Sequence, residues 1–358
     1  MDPSTQSLCP HFGECGGCQN QDLPYTEQVK DKASMLEDLF RDYWKDAVEV
    51  TPSPIQWNYR NKIDPSFARR QYPEPPPKDF VRETVIGFKK RGRWFDPLDL
   101  QTCHIGPEGL SEFLDAVREW YTGNDIRAFD NRNDDGILRN LLIRVAKHTG
   151  ERMVVLITRS GEIDLAPFVE LVREHFPAKS VYRGIFDGKA DVAIADELIL
   201  LDGEEPIYEE IHLDDDTAPG ALRFRISPMS FFQTNTLATE KLYGAIRDWV
   251  KDIAPKNLYD LYGGAGGIAF SCADLVDHIW SVETVLPASE DGRINATNNN
   301  IDNVTFITDK VKNYLKWRIE GTGLAENNAV VLDPPRAGLH PKALRRLTEL
   351  APKHVLYV

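Results

Sequence analysis

The 358-residue sequence predicts an α/β chain: a parallel, doubly wound sheet in its last third, preceded by an α+β block and a short cysteine-rich loop. Three observations carry this. From Ser230 onward, β-rich runs alternate with helical runs, and such alternation builds a parallel sheet with helices on both faces. The first of those strands runs into a glycine-rich turn, Tyr262-Gly263-Gly264-Ala265-Gly266-Gly267. Far upstream, Cys9, Cys15 and Cys18 cluster within ten residues, and Cys103 stands apart as a possible fourth member.

The elements divide the chain into blocks of residues 1–50, 51–229 and 230–358. The first holds the cysteine loop and then an amphipathic stretch, Tyr25 to Trp44, with Val29, Met35, Leu36, Leu39 and Phe40 on one side. Pro52 and Pro54 close it. The second alternates short β-rich runs with turns: Glu83–Phe88, Leu141–Val145, Met153–Thr158, Val181–Phe186 and Glu197–Leu200. Pro73 to Pro77 is a loop and Asp214 to Gly220 an acidic turn. In the third, Thr236–Val250 is helical and Asn257–Leu261 is a strand, with a helix after the glycine turn running through Cys272 to Val276. Strands follow at His278–Glu283, Thr305–Thr308, Ala329–Leu332 and His354–Val358.

Composition bounds the class. Hydrophobic residues are 42% and charged residues 27% of the chain, the balance of a globular protein with a large core. No apolar run approaches membrane-spanning length. The net charge of -14 is unexpected for a nucleic-acid binder, although phosphate contacts are local. Between residues 60 and 93 the balance reverses, with Arg60, Lys62, Arg69, Arg70, Arg82, Lys89, Lys90, Arg91 and Arg93. Trp57, Tyr59, Phe67, Phe88 and Trp94 are interleaved with them. Aromatics among cations can stack bases while the cations hold phosphate. A solvated, salt-bridged sheet face has the same composition.

The cysteines admit several chemistries. Four thiolates hold an iron–sulfur cluster, and Gly13, Gly16 and Gly17 let the backbone wrap an inorganic core. A structural zinc site also takes four thiolates but usually pairs two Cys-x-x-Cys knuckles, and here the second is missing. Disulfides are a third reading, although no signal peptide marks an oxidising destination. Unrelated buried cysteines are a fourth. Cys272 is left over, on the helix after the glycine turn.

The glycine turn sits over a helix N-terminus, where backbone can approach a ligand closely. Glu283 ends the next strand, sixteen residues after Gly267, where a carboxylate can accept both ribose hydroxyls. The spacing Gly263-x-x-Gly266-Gly267 departs from the dinucleotide pattern and suits S-adenosylmethionine, which has no pyrophosphate to cradle. Downstream, Asp333-Pro334-Pro335-Arg336 follows the fourth strand, where open α/β sheets place their ligands. Arg336 replaces the aromatic usual in amino-group methyltransferases and points to a different acceptor.

The cysteine loop, Asn58-Tyr59-Arg60-Asn61-Lys62, Ser230-Phe231-Phe232-Gln233-Thr234-Asn235, Asp260-Leu261-Tyr262-Gly263 and Asp333-Pro334-Pro335-Arg336 occur in that order. Together they resemble the RNA uracil-5 methyltransferases of 23S rRNA and tRNA, over essentially the whole chain. The resemblance implies a Rossmann-like class I methyltransferase domain behind an iron–sulfur loop and an α+β RNA-binding domain. It implies a 4Fe–4S cluster on Cys9, Cys15, Cys18 and Cys103. It implies S-adenosylmethionine contacts at Gln233, Tyr262, Gly263, Gly267, Glu283, Asp309 and Asp333, with Arg336 near the target base.

In that family a cysteine thiolate adds to carbon 6 of uracil, carbon 5 takes the methyl group, and a base removes its proton. The base must leave the stack to be reached. The family's nucleophile follows the fifth strand, so it is expected about two residues beyond Val358, and the general-base glutamate later still. No catalytic nucleophile or base is therefore expected in residues 1–358, Asp333 and Arg336 being supporting residues, and this chain alone is expected not to methylate uracil. The chain is expected to resemble the relatives without an N-terminal β-barrel, with RNA grip left to the central block. The expected partner is 23S rRNA rather than tRNA, for a cytoplasmic monomer. A non-catalytic relative that binds RNA and S-adenosylmethionine is the alternative.

Overall fold

A computed structural model describes residues 8–74, 76–77, 80–213 and 220–358. The acidic turn at 214–220 lies, but for Gly220, outside the described residues. The chain forms two compact units: residues 1–146 with 150–207, and residues 147–149 with 208–358. The cysteine loop and Cys103 belong to the first unit, and residues 208–229 to the second.

In the first unit, α1 (Tyr25–Phe40) follows the cysteine loop. It stops four residues short of the sequence expectation, in a turn where the Tyr43 and Trp44 amides share the Phe40 carbonyl (2.8 Å each). α1 has no buried residue, and Met35 and Leu39 on its apolar side are exposed. Next come β1 (Lys62–Ile63), β2 (Ser66–Arg69), β3 (Thr84–Gly87), the hairpin β4 (Lys89–Lys90) and β5 (Arg93–Pro97), and α2 (Leu110–Gly123). β6 (Leu138–Val145), β7 (Arg152–Thr158), α3 (Ala166–His175), β8 (Ser180–Ile185) and β9 (Glu197–Gly203) complete it. The main sheet runs β3-β2-β6-β7-β8-β9, with β1 also pairing β6. α2 buries Leu110, Phe113, Leu114, Val117, Trp120 and Tyr121, the three-and-four spacing of one helical stripe. That stripe and Phe168 and Val172 of α3 pack with Leu141, Ile143, Val154 and Leu156 of the central strands. Each such large side chain contributes about 1.5–3 kcal/mol.

The second unit holds the hairpin β10 (Ile207–Ile211, its first residue in the first unit) and β11 (Leu222–Ile226), then α4 (Thr236–Ile253). β12 (Asn257–Leu261), α5 (Gly267–Ser271), β13 (His278–Glu283), α6 (Leu286–Asn298), β14 (Val304–Thr308), α7 (Val311–Glu320), β15 (Asn328–Leu332), α8 (Pro341–Leu350) and β16 (His354–Tyr357) follow. The five-stranded sheet runs β14-β13-β12-β15-β16, with every pairing parallel. Strand residues alternate between two cores, as period-two geometry requires. Leu258, Ala329 and Val331 pack with Tyr243, Ile246 and Val250 of α4. Tyr259, Val330 and Leu332 pack with Tyr314 and Leu315 of α7 and Leu347 of α8.

The helix expected from the glycine turn to Val276 breaks at Cys272 into a single 3-10 turn, Ala273–Leu275. The buried Arg247 guanidinium donates to the Ser271 carbonyl (2.9 Å), and the Asn303 amide to those of Ala273 (2.7 Å) and Val276 (2.9 Å). These side chains take up carbonyls that a longer helix would have satisfied itself.

Candidate functional site

Strand order reverses beside β12: the chain winds outward through β13 and β14, then returns to lay β15 on the other side. Ligands of open α/β sheets bind at the carboxyl ends of the strands at such a point. Asp309, Glu283, Tyr262 and Asp333 occupy four neighbouring strand ends there. Leu261 pairs with Val282 and Leu332, and Glu283 with Thr308, so the residues just past each strand share one rim. Backbone bonds join them: Asp309 N–H to the Glu283 carbonyl (3.0 Å), Tyr262 N–H to that of Val282 (2.9 Å), and Asp333 N–H to that of Leu261 (3.3 Å).

The turn after β12 is a backbone cradle. Tyr262 adopts a left-handed φ of 75°, a strained conformation for a side-chain-bearing residue. A Cβ on Gly263 would lie 2.0 Å from Ser281 Oγ, and one on Gly267 would lie 2.1 Å from the Tyr243 hydroxyl. Glycine is required at both places. Gly264 has φ 55° and nothing within 4 Å of a Cβ position, so the top of the turn faces open space. The Glu283 carboxylate accepts from Gly264 N–H (3.1 Å) and Val285 N–H (2.7 Å), which fixes it beside that space. Asp309 accepts from Lys310 N–H (2.7 Å) and the Asn313 amide (3.0 Å).

Across the switch point, Gln233 Nε2 lies 3.5 Å from Asp333 Oδ2. Partial burial raises the Asp333 carboxyl above its ordinary range. Arg336 is exposed on the loop that follows. The structure thus brings Gln233 to Asp333, and Tyr262, Gly263, Gly267, Glu283 and Asp309 to the same rim, with Arg336 just outside.

Three buried residues of this unit were not singled out as site residues. Asp260, fully buried at the end of β12, is pushed up to about 7, first by burial and then by Asp333 and Glu283, while the Ser281 hydroxyl (3.3 Å) opposes the shift. Its other oxygen has no hydrogen-bond partner. Tyr243 of α4 covers Gly267. Asp291 of α6 accepts from Ser227 Oγ (2.8 Å) and anchors the start of the segment that carries Gln233. Only Asp260, a lone carboxylate ending an apolar strand, leaves a signal in the local sequence.

The cysteine loop is held in the first unit by its neighbours. Gly16 N–H donates to the Lys89 carbonyl (3.0 Å), where a Cβ would come within 3.1 Å of that oxygen. The Arg91 guanidinium sits over the Phe12 ring and donates to the Cys18 carbonyl. His11 accepts from Gln101 N–H (3.1 Å), which ties the loop to the segment before Cys103. Burial pushes up the Cys15 and Cys103 thiols, and each also feels Cys9 and Cys18. The Gly106 N–H donates to the Cys103 carbonyl (2.9 Å), and the Gly17 N–H points at the Cys15 sulfur (3.3 Å). Cluster-bound thiolates accept such bonds, which tune the cluster. Among the described residues, the single group of three or more ligand atoms close enough for one ion lies elsewhere and contains no cysteine.

Most of the basic block is paired: Lys62 with Asp64, Arg69 with Asp135, Arg70 with Glu83 and Asp99, Lys89 with Asp191, and Lys90 with Glu14 and Asp96. Phe67 is a core residue. Trp94, 79% exposed, and Phe95, 56% exposed, stand out on β5 in edge-to-face contact.

The sequence model of the tRNA (uracil-5-)-methyltransferase family matches residues 198–358. An RNA methyltransferase of Clostridium tetani is 31% identical, the match covering 99% of this chain and 74% of that protein. One from Clostridium acetobutylicum is 32% identical, over 99% and 75%. Among solved structures, the tRNA (uracil-54, C5)-methyltransferase of Pyrococcus abyssi in complex with S-adenosyl-L-homocysteine superimposes with a TM-score of 0.73 at 27% identity. That match covers 97% of this chain and 76% of the other.

Proposed function

This chain belongs to the RNA uracil-5-methyltransferase family, and from that premise we propose that it binds S-adenosylmethionine for methylation of carbon 5 of a uridine in 23S rRNA. The observation that carries the reading is the convergence of Glu283, Asp309 and the Gln233–Asp333 pair around the glycine cradle. The residues fit the cofactor. Glu283 stands where ribose hydroxyls would donate to it. Gly263 and Gly267 keep the turn free of side chains, and Tyr262, Asp309, Asp333 and Gln233 line the same rim, where they would contact the bound cofactor. When bound, the cofactor supplies a sulfonium methyl group. Asp333 and Arg336 would support the target base. A tRNA substrate is the second reading, favoured by the likeness to the Pyrococcus abyssi enzyme.

Binding of S-adenosylhomocysteine to residues 1–358, followed by calorimetry, tests the site. Glu283→Ala and Asp333→Ala should each weaken it about tenfold or more, a loss of at least about 1.4 kcal/mol. Absence of binding would overturn the reading. Methyl transfer by the full-length protein, offered 23S rRNA and tRNA in parallel, decides the substrate.

For the four cysteines we propose a 4Fe–4S cluster, supported by the Gly17 N–H aimed at Cys15 and by the nearness of Cys9 and Cys18 to both Cys15 and Cys103. Protein isolated without oxygen should carry iron and acid-labile sulfide and be brown. Zinc held by these four cysteines in place of iron would refute the cluster.

A further inference from the structure

Away from the methyl-donor rim, three side chains of the second unit are arranged as a metal-ligand set. His148 lies on the turn 147–149, His212 directly after β10, and Glu240 in the second turn of α4. One ligand atom from each lies within 4.8 Å of the other two. His148 Nε2 is 2.7 Å from Glu240 Oε1, and the two imidazoles stack at 4.1 Å with planes 16° apart. The same Glu240 oxygen accepts the His212 backbone N–H at 2.8 Å. Glu210 Oε2 lies 3.2 Å from His212 Nε2, a second carboxylate beside the set.

The scaffold behind these side chains is rigid. Glu209, fully buried, accepts four hydrogen bonds: from Lys147 N–H (2.5 Å), His148 N–H (2.9 Å), Glu210 N–H (3.1 Å) and the Thr236 hydroxyl (2.8 Å). Burying a carboxylate is costly unless its oxygens are satisfied, and here both are. Those donors belong to the turn carrying His148, the strand leading to His212 and the first turn of the helix carrying Glu240. One carboxylate therefore registers all three ligand-bearing elements, as supporting groups do in metal sites.

We propose that His148, His212 and Glu240 bind one divalent transition-metal ion of the zinc class, with water completing a tetrahedral shell. Imidazole and carboxylate suit such an ion. Bond lengths near 2.0–2.2 Å set ligand atoms of a tetrahedron about 3.3 Å apart. That spacing falls between the 2.7 Å His148–Glu240 contact and the 4.8 Å limit of the set, and the two stacked imidazoles would turn to aim their nitrogens at one ion. The metal takes the place of the proton between His148 and Glu240.

Co2+ alone, titrated into chelator-washed protein and followed by its visible absorption, tests this. The expected result is one histidine-dependent ion per chain, with a nitrogen–oxygen spectrum free of thiolate charge-transfer bands and displaced by Zn2+. His148→Ala and His212→Ala, both at exposed positions, should each weaken binding about tenfold or more. No binding at millimolar Co2+, a spectrum of thiolate bands only, or binding unchanged in both variants would overturn the site.

Discussion

Replacing Asp260 by Asn should flatten the pH dependence of stability. The carboxyl is fully buried at the end of β12, and its affinity for a proton is raised from the ordinary 3.8 to about 7. A folded-state value above the unfolded one means that the folded protein holds the proton more tightly. The resulting stability is full below pH 3.8 and lost as pH rises through about 7. At about 1.4 kcal/mol per tenfold change in proton affinity, the whole span is worth about 4 kcal/mol. Between pH 5 and pH 8 the loss is about 2–3 kcal/mol.

Asparagine keeps the shape and cannot ionise. Its oxygen can accept from Ser281, but its NH2 replaces an oxygen that has no partner, at a cost of about 1–3 kcal/mol. That cost is the same at every pH and cancels when two pH values are compared. Urea unfolding of both proteins at pH 5 and pH 8 reads the difference, and titrations elsewhere in the chain also cancel. The variant should gain about 2–3 kcal/mol on the parent between the two pH values. A stability difference that does not move with pH would refute the reasoning, because Asp260 would then ionise in the folded protein at its ordinary value.

Gly267→Ala puts a Cβ 2.1 Å from the Tyr243 hydroxyl and should weaken S-adenosylhomocysteine binding and cost about 1–3 kcal/mol of stability. Tyr243→Phe removes that oxygen, so the double variant should recover part of both losses, and strict additivity would show that the contact does not matter. Cys103→Ser should lower bound iron and sulfide while leaving cofactor binding intact, since Cys103 and the glycine cradle lie in different units; retained iron would remove Cys103 from the ligand set. Trp94→Ala should weaken RNA binding by about 1–3 kcal/mol with little change in salt slope, as loss of a stacking surface does. Arg60→Ala should instead lower the slope by about one, and filter binding across a salt series separates the two.

The methyltransferase half was legible because its signals are local. The ends of β12 and β13 could be read to the residue, since each strand is an apolar run closed by a charged or glycine-rich turn. Glu283 is marked by its spacing from the glycine turn, and Asp333 by the Asp-Pro-Pro-Arg element that follows a strand. What escaped was set by tertiary contacts. Tyr243 matters because α4 lays its hydroxyl over Gly267, and no spacing relates two positions on different elements. Cys272 ends a helix because Arg247 and Asn303 capture carbonyls from a distance. The basic block misleads for the same reason: cations that look available in sequence face Asp99, Asp135 and Asp191 in space. Charge balance along the chain therefore says little about the face it makes. Trp94 and Phe95 keep the exposure that base stacking needs, which adds β5 of the β4–β5 hairpin to Arg60 as an expected RNA contact. That hairpin also touches the cysteine loop, through Gly16 on Lys89 and Arg91 on Glu14. If the four cysteines hold a cluster, its loop braces the surface on which the stacking pair stands, and losing the cluster should weaken RNA binding through Trp94 and not through the cofactor site.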